Sequence, residues 1–291
     1  ILELARSASQ RVGIHVEVDV GMCRGGMQPD EAVRMVQMAL RAPCLELRGV
    51  MCHFSSAGTS AETTCHEHAV FAKALQSMGP LPATCCVHAA ATAAAIHDCH
   101  SRHDMVRIGL GWSGHVPGSR GRGHASSLIP AIRWRTELTH THEIEAGSSV
   151  GYGRKWITPQ ATKIGIVPVG YADGVPPHAG LTADHQGARV AVYSPRSGME
   201  QPIGTAPIVG AVSMDQMAID LGSLPCGIDP SIGWTIDLVT PTVDGPTSLI
   251  GFAAACDVTP HQFLAGIGPR VRRMVVSPPI VQSSSPQAAA V

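Results

Sequence analysis

Hydrophobic and polar positions alternate in two different ways along this chain. Up to about residue 114, short apolar segments are separated by stretches with helical spacing, as in a parallel α/β architecture. The predicted strands are residues 13–20, 46–52, 84–88 and 105–108. Between the first two, Pro29 is placed to begin a helix, apolar residues recur at helical spacing, and Pro43 follows its end. This pattern predicts a helix with one buried face.

The second half of the chain has short apolar segments separated by turns rich in glycine and proline. These segments predict strands at residues 132–142, 163–169, 189–193, 208–213, 217–221 and 235–239, and therefore a separate β domain. A stretch rich in Gly, Ser and Arg precedes it, so we expect one domain over residues 1–125 and a second over 126–276. Residues 277–291 are small and polar, and we expect a disordered tail.

Composition restricts the class of protein. An apolar fraction of 44% and a formal net charge of −1 are typical of a soluble globular protein. The 21 basic residues are dispersed, and all but Lys73, Lys155 and Lys163 are arginine, so no nucleic-acid surface is predicted. No apolar run approaches the roughly 18 residues of a membrane helix. The first residues lack a secretory pattern, so we expect a cytoplasmic protein.

Cysteine and histidine are frequent enough to raise the question of disulfides and metals. Nine cysteines occur without a repeated spacing and include the adjacent pair Cys85 and Cys86, so we expect reduced and mostly buried thiols. Residues 65–68 read CHEH, but the two histidines lie on different sides of a predicted helix. We therefore predict no metal site.

Several short motifs carry candidate chemistry. Tyr152 lies between two glycines, which suits an exposed turn, and its phenol is a candidate proton-transfer group. The motifs are, in chain order, DVGMCR at 19–24, CHF at 52–54, HAAATAA at 88–94, MVRIG at 105–109, VGYGRKW at 150–156, VGYADG at 169–174, AVSMDQ at 211–216 and GPRVRR at 268–273. Together they resemble the alanine racemases, enzymes that use pyridoxal phosphate (PLP) to interconvert L- and D-alanine. The last motif is similar to the closing arginine-rich strand of that family.

The resemblance implies a fold. Alanine racemases have a (β/α)8 barrel followed by a β domain, and this chain offers about four strand–helix units before its β domain. We therefore expect a partial TIM-type barrel, made of about the last four units, plus a carboxyl-terminal β domain. The family joins PLP to a lysine near the amino terminus, and none of the three lysines occupies that place. We expect a chain that begins near the fifth barrel strand and is inactive alone.

The resemblance also implies two acid–base groups. Racemisation removes the α-proton on one face of the substrate and returns a proton on the other. Tyr152 matches one of the two groups, and His53 matches a histidine that contacts it. A phenol has an unperturbed pKa of about 10, so a neighbouring cation or imidazole must favour the phenolate. In the family this tyrosine reaches the barrel of the other subunit, which implies a homodimer with shared active sites.

Cofactor contacts are implied for six residues, five of which lie between residues 88 and 110. Arg107 matches the arginine that donates to the pyridine nitrogen of PLP and keeps that nitrogen unprotonated. The hydroxyl of Thr92 and the backbone N–H groups of Gly109 and Leu110 match the phosphate site. His88 begins the motif that contains Thr92, and we predict that it belongs to the cofactor site.

Substrate contacts are implied at both halves of the chain. Arg24 matches an arginine that reaches the phenolic oxygen of PLP and the substrate carboxylate. Glu17 lies seven residues earlier, and we predict that it forms a salt bridge that orients Arg24. Tyr171 and the pair Met214 and Asp215 match residues at the active-site entrance, where the N–H of Met214 would meet the substrate carboxylate.

The resemblance implies an isomerase that supplies D-alanine for peptidoglycan. Two alternatives to this function stay open. The first is a racemase for serine or for a wider set of amino acids, since the entrance residues do not fix the size of the substrate side chain. The second is a non-catalytic relative, which the missing lysine favours. Against it, the chain retains five residues of the family's site together, namely Tyr152, Arg107, Arg24, His53 and Met214.

Overall fold

A computed structural model describes residue 3 and residues 11–120, 128–195 and 201–276. The predicted domain junction near residue 125 and the predicted disordered tail at 277–291 therefore lie outside the described residues. Two main hydrophobic cores are present, one built from residues between Val16 and Ala95 and the other from residues between Leu110 and Phe263. Leu110 is thus packed into the second core although it follows the last strand of the first unit.

The first unit is a parallel sheet with helices between its strands. Its order is β1 (Val12–Val18), β2 (Leu45–Cys52), β3 (Cys86–Ala91) and β4 (Met105–Arg107), so each strand pairs with the next along the chain. The connecting helices are α1 (Pro29–Arg41), α2 (Ala61–Met78) and α3 (Thr92–His97). All four predicted strands are found, with ends displaced by up to three residues. Because the strands are parallel, the residues that follow them lie at one end of the sheet.

Local sequence explains where these elements begin and which face they bury. Val16 and Val18 of β1 are buried, whereas the alternate residues point to the opposite face of the sheet. α1 begins at Pro29, whose missing N–H is one that the first helical turn leaves unpaired. Ala32, Val36 and Ala39 of its apolar stripe are buried, but Leu40 is exposed. The hydroxyl of Ser60 accepts the N–H of Thr63 and caps α2.

The second unit is a seven-stranded antiparallel sheet. Its spatial order is β5 (Trp134–Glu137), β13 (Thr235–Val239), β10 (Arg189–Tyr193), β11 (Gly204–Val209), β12 (Met217–Asp220), β9 (Thr162–Val167) and β6 (His140–Ile144). A separate two-stranded hairpin is formed by β7 (Ser149–Val150) and β8 (Trp156–Ile157). The first and last strands of the large sheet, β5 and β6, are consecutive in the chain. The sheet therefore curls round until its two edges meet at one short connection.

The prediction of a single strand over residues 132–142 is wrong, because this segment forms both β5 and β6. Between them, the N–H of Leu138 donates to the Trp234 carbonyl and the N–H of Thr139 donates to the Ile166 carbonyl, both at 2.9 Å. The chain thus leaves β13 and joins β9 within two residues. Leu138 is buried in the core at the point of transfer. A continuous β pattern cannot reveal that its two halves pair with different neighbours.

Two helices that the sequence pattern did not predict pack against the β sheet. They are α4 (Leu249–Ala255) and α5 (Pro260–Gly266). The rings of Phe252 and Phe263 are both buried, with centroids 5.2 Å apart. Thr259 and Gln262 form a reciprocal capping box at the start of α5. Each helix has only seven residues, too few for its periodicity to stand out in the sequence.

The cysteines differ from the prediction in their burial. Eight of the nine are described, and all eight are free thiols. Three of them are exposed, namely Cys23, Cys65 and Cys226, and only three are buried, so the expectation of mostly buried thiols is wrong. Cys23 lies in the exposed loop after β1, with φ of 53°. Within the described ranges, no helix is both long and apolar enough to cross a membrane.

Candidate active site

Arg107, at the end of β4, is the centre of a group of hydrogen bonds on the parallel sheet. Its Nη1 donates to Nδ1 of His88 at 2.5 Å. Its Nη2 faces the carbonyl oxygens of Cys52 and Ala89, each at 2.9 Å, and Nδ1 of His53 at 3.1 Å. Strands β2 and β3 and the residue after β2 therefore supply its acceptors. The Nε–H of Arg107 has no partner in the part of the chain that the structure describes.

Both histidines beside Arg107 are held in the neutral form. Burial, reinforced by the guanidinium charge, lowers the pKa of His88 to about 4. The same two causes lower the pKa of His53. Because a guanidinium only donates, Nδ1 of His88 accepts and its proton is assigned to Nε2. That nitrogen lies 3.2 Å from Nδ1 of His15 on β1, a residue that was not predicted as part of the site.

Thr92, the first residue of α3, lies against the turn that follows β4. Its side chain is buried, and its Oγ1 accepts the N–H groups of Gly109 at 3.0 Å and Gly111 at 3.2 Å. The N–H of Leu110 has no partner among the residues described, and a Cβ placed on Gly109 would meet nothing within 4 Å. The three residues predicted to hold a phosphate are therefore neighbours, with one uncommitted donor and open space beside them.

The loop after β1 differs from the prediction. No ion pair in the described ranges joins Glu17 to Arg24, so the predicted salt bridge is absent. The Glu17 side chain lies against the loop backbone instead, with its Cγ 3.0 Å from a Cβ built on Gly26. Asp19 accepts two backbone N–H groups, which holds the loop in a tight turn and leaves Arg24 exposed. Arg24 still contributes to lowering the pKa of His53, so its charge reaches the Arg107 group.

Tyr152 lies in the turn between β7 and β8, far along the chain from the Arg107 group. The turn depends on Gly151 and Gly153, whose φ values are 76° and 71°, a region that disfavours any Cβ. Tyr152 is 76% exposed, so its ring is not packed into the domain that carries it. The hairpin rests on Gly210, where a Cβ would lie 2.5 Å from the carbonyl oxygen of Val150. The backbone thus presents the phenol outward on a supported turn.

Tyr171 and Met214 lie on two loops that are joined through their backbones. The N–H of Tyr171 donates to the Ser213 carbonyl, and the N–H of Ala172 donates to the Met214 carbonyl, both at 3.0 Å. The side chains of Tyr171 and Met214 are about half exposed. The N–H of Met214 has no partner among the described residues. The two predicted entrance residues are therefore adjacent, and one backbone donor beside them is uncommitted.

A cavity of about 690 Å³ opens beside these loops. Its lining includes Tyr171, Ala211 and Val212, together with Arg154 and Lys155 from the Tyr152 hairpin. A second cavity of about 450 Å³ is bordered by α5. Tyr171 lines both cavities, so its position affects the shape of each.

The segment at 268–273 is not a strand, which corrects the expectation of a closing arginine-rich strand. The guanidinium of Arg273 donates to backbone carbonyls between Ile267 and Val271 and folds the segment on itself. Arg270 reaches back to the β unit and binds the carboxylates of Asp173 and Asp215. Asp215, predicted to bind substrate, is thus already engaged by an arginine. Neither Asp173 nor Arg270 was predicted as a site residue, although both lie within quoted motifs.

The predicted site residues form two separate groups within one chain. One contains Arg107, His53 and Thr92, and the other contains Tyr152 and the entrance loops. No hydrogen bond, ion pair or ring contact found in the described ranges joins Tyr152 to His53. The resemblance places that contact between two subunits, so a single chain does not test it.

Comparisons with known proteins agree on one family. The model for "Alanine racemase, N-terminal domain" matches residues 1–117, and the model for "Alanine racemase, C-terminal domain" matches residues 131–275. The alanine racemase of Treponema pallidum is 34% identical over 285 residues, which cover 91% of this chain and 67% of that protein. The alanine racemase of Beutenbergia cavernae is 32% identical over 283 residues, with coverages of 95% and 70%.

Solved structures agree with the sequence relatives. The crystal structure of the biosynthetic alanine racemase from Pseudomonas aeruginosa superposes with a TM-score of 0.79 at 26% identity, covering 94% of this chain and 70% of that one. The chain spans about two thirds of the length of these relatives. Both family models and the curated relatives confirm the family that the motifs predicted. The chain belongs to the alanine racemase family of isomerases.

Proposed function

We propose that this chain forms the larger part of a PLP-dependent alanine racemase, with the cofactor held by the Arg107 group. PLP presents a phosphate and an unprotonated ring nitrogen, both of which accept hydrogen bonds. The N–H of Leu110, beside Thr92, is an uncommitted donor for the phosphate, and the open space at Gly109 admits it. The Nε–H of Arg107 is an uncommitted donor for the ring nitrogen. These two free donors are the observation that carries the proposal.

Arg107 is oriented so that its guanidinium would donate a hydrogen bond to the ring nitrogen of PLP without transferring its proton. PLP, when bound, withdraws electrons from the α-carbon of an amino acid and makes the α-proton removable. Arg107 keeps the ring nitrogen unprotonated because a guanidinium does not deprotonate in proteins. Its orientation is fixed by acceptors on strands β2 and β3 and on the residue after β2, including the neutral imidazoles of His88 and His53. The chain's own residues therefore determine how strongly the cofactor is polarised.

Tyr152 is proposed to carry a proton to and from the α-carbon in a second copy of the chain. Its exposed phenol on a supported turn suits insertion into a partner, and a homodimer with shared sites follows. In the partner, Arg107 and Arg24 would supply the positive charge that favours the phenolate. The uncommitted N–H of Met214, carried on the same β unit as Tyr152, would meet the substrate carboxylate.

The four parallel strands are proposed to be part of an eight-stranded barrel. The Met105 and Val106 side chains of the edge strand β4 are exposed, as expected where further strands would pack. Lys73 lies on the exposed side of α2, Lys155 borders the cavity and Lys163 pairs with Asp229. No lysine therefore lies in the Arg107 group. We expect no racemisation by these 291 residues alone, because the lysine that the family uses has no counterpart in them.

Activity is best tested on the protein isolated from its own cells and loaded with PLP. We expect it to racemise L-alanine. In the Tyr152→Phe variant, racemisation should fall by about a hundredfold or more, while α-proton exchange with D₂O persists for one enantiomer. An Ile157→Thr change at an exposed position of the same hairpin should leave both unchanged. Absence of exchange for every amino acid tried would support the non-catalytic alternative.

Sharing of active sites between subunits has its own test. Arg107→Gln and Tyr152→Phe proteins should each be inactive as homodimers. Mixed dimers contain one site with both residues intact, so dissociating and reassociating an equal mixture should restore about a quarter of the activity. No recovery, with dimers shown to exchange subunits, would contradict a site shared in this way.

A wider substrate range is the second candidate function. The open cavity of about 690 Å³ beside Tyr171 leaves room for a side chain larger than methyl. Alanine racemases supply D-alanine for peptidoglycan, and we propose that role here if alanine is preferred. Comparing kcat/KM for alanine and serine decides between the two, since a serine value equal to or above that of alanine would favour the wider enzyme.

A further inference from the structure

One guanidinium connects the two loops at the entrance. Arg270 donates from Nε to Oδ1 of Asp173 at 2.6 Å and from Nη2 to Oδ2 at 3.0 Å, in a bidentate pair. The same Nη2 donates to Oδ1 of Asp215 at 2.6 Å. Asp173 and Asp215 belong to different loops, and each lies one or two residues from Tyr171 or Met214. Arg270 therefore bridges the two loops from the carboxyl-terminal segment.

The loops are close but have little packing to hold them in place. A Cβ on Gly170 would lie 2.3 Å from the carbonyl oxygens of both Ser213 and Met214, so the two backbones are in direct contact. Asp173 also accepts the N–H of Gly170 at 2.9 Å. The exposed side chains of Tyr171 and Met214 bury too little surface to fix the loops themselves. The carboxylates held by Arg270 therefore add a side-chain restraint to the two backbone hydrogen bonds that join the loops.

We infer that Arg270 is a positioning residue that holds Tyr171 and the Met214 N–H at one fixed separation. This inference rests on the proposed function for its effect on catalysis, but not for its effect on the loops. Lysine cannot replace Arg270, because a single ammonium cannot form the planar fork on Asp173 and reach Asp215 as well. Arg273, which folds the segment through backbone carbonyls, keeps Arg270 in reach.

The loop effect is tested by amide hydrogen exchange on this chain. In Arg270→Gln the N–H groups of Tyr171 and Ala172 should exchange about tenfold faster or more, whereas those of β9 and β12 should not change. Arg270→Lys should lie between Gln and the unsubstituted protein. The matched control is Arg272→Gln, an exposed arginine with no bonds in the described ranges. Unchanged exchange at Tyr171 and Ala172 in Arg270→Gln would overturn the inference.

Asp215→Asn serves as a milder variant in case Arg270→Gln does not fold. It weakens only one of three hydrogen bonds and should accelerate the same two amides by a smaller factor. In the PLP-loaded racemase, Arg270→Gln should lower kcat/KM for alanine by about tenfold or more while PLP affinity stays the same. Faster exchange with unchanged kcat/KM would overturn the catalytic part. If the unsubstituted protein has no racemase activity, the proposed function fails and the exchange result alone decides whether Arg270 positions the loops.

Discussion

Arg107 donates from Nη1 to Nδ1 of His88 at 2.5 Å, and this bond determines which protonation state of the histidine the folded chain accepts. A proton on Nδ1 would face a guanidinium N–H, so protonation requires the bond to break. His88 is almost completely buried, which adds a desolvation cost to the charged imidazolium. Geometry and burial therefore act in the same direction, and the pKa of His88 falls to about 4.

This relationship predicts a pH-dependent stability. The pKa of His88 is about 4 in the folded state and 6.5 for an ordinary histidine, so the unfolded chain takes up the proton first as the pH falls. The contribution of His88 is fully present above pH 6.5 and is lost as the pH falls toward 4. Asn at position 88 offers an amide oxygen to Arg107 and does not titrate. In His88→Asn, the free energy of unfolding should therefore fall by about 3 kcal/mol less between pH 6.5 and pH 4 than in the unsubstituted protein.

Urea unfolding across the same pH range measures the effect. The control is His140→Asn, an exposed position on β6, which should keep the slope of the unsubstituted protein. An identical slope for His88→Asn and the unsubstituted chain would contradict the assignment of a neutral, hydrogen-bonded His88.

Thr92 is expected to matter for both stability and phosphate binding. Thr92→Ala leaves the N–H groups of Gly109 and Gly111 without their acceptor, which should lower the free energy of unfolding by about 2 kcal/mol. Thr92→Ser keeps the hydroxyl and should cost less than about 1 kcal/mol. PLP titration of the active protein should show about tenfold weaker binding for Ala than for Ser. Equal affinities would place the phosphate elsewhere.

Asp237 of β13 should be the most sensitive charged residue of the β unit. It is completely buried, and Arg135 binds both of its oxygens, at 2.6 and 2.9 Å. Asp237→Asn removes the buried negative charge that pairs with both Arg135 and Arg133, so we expect a loss of about 4 kcal/mol in chemical denaturation. Glu46→Gln breaks the exposed pair with Arg48 and should cost less than about 1 kcal/mol. A similar decrease in the free energy of unfolding for the two variants would show that burial does not strengthen the Asp237 ion pair.

Gly210 and Gly227 allow backbone strain to be separated from a steric clash. Both have positive φ, 72° and 84°. A Cβ on Gly227 meets nothing within 4 Å, whereas one on Gly210 lies 2.5 Å from the carbonyl oxygen of Val150 below the Tyr152 hairpin. Gly227→Ala should cost about 1 kcal/mol from strain alone, and Gly210→Ala at least about 2 kcal/mol more. Thermal unfolding of the two variants measures the cost of the clash. Equal decreases in the free energy of unfolding would contradict this prediction.

Local patterns in the sequence predicted most strands but not their partners. β10 and β13 were predicted to the residue, because alternating or continuous apolar runs bounded by turns mark them clearly. The division of residues 132–142 into β5 and β6 depends on Trp234 and Ile166, which lie far away along the chain. Short helices such as α4 are decided by the core that they cover, and their own pattern is weak.

The candidate site shows the same limit. Residues whose role follows from a motif, such as Arg107 and Thr92, are neighbours in space as expected. The predicted salt bridge between Glu17 and Arg24 is absent because spacing along the chain does not determine the path of a loop. Here Asp19 accepts two backbone N–H groups and holds the loop after β1 in a tight turn. The bridge formed by Arg270 was not predicted because its partners come from two loops that no local pattern connects.

The pairing of β5 with β13 limits the order in which the parts of this protein can fold. Trp134 pairs with Val239, so the β sheet cannot be completed before residues near 239 have been synthesised. Until then β5 has an unpaired edge, which is the kind of surface that attaches to other unfinished chains. The parallel unit pairs each strand with the next and has no such delay. During synthesis, therefore, the residues around Arg107 can assemble before Gly210, on which the Tyr152 hairpin rests, has been synthesised.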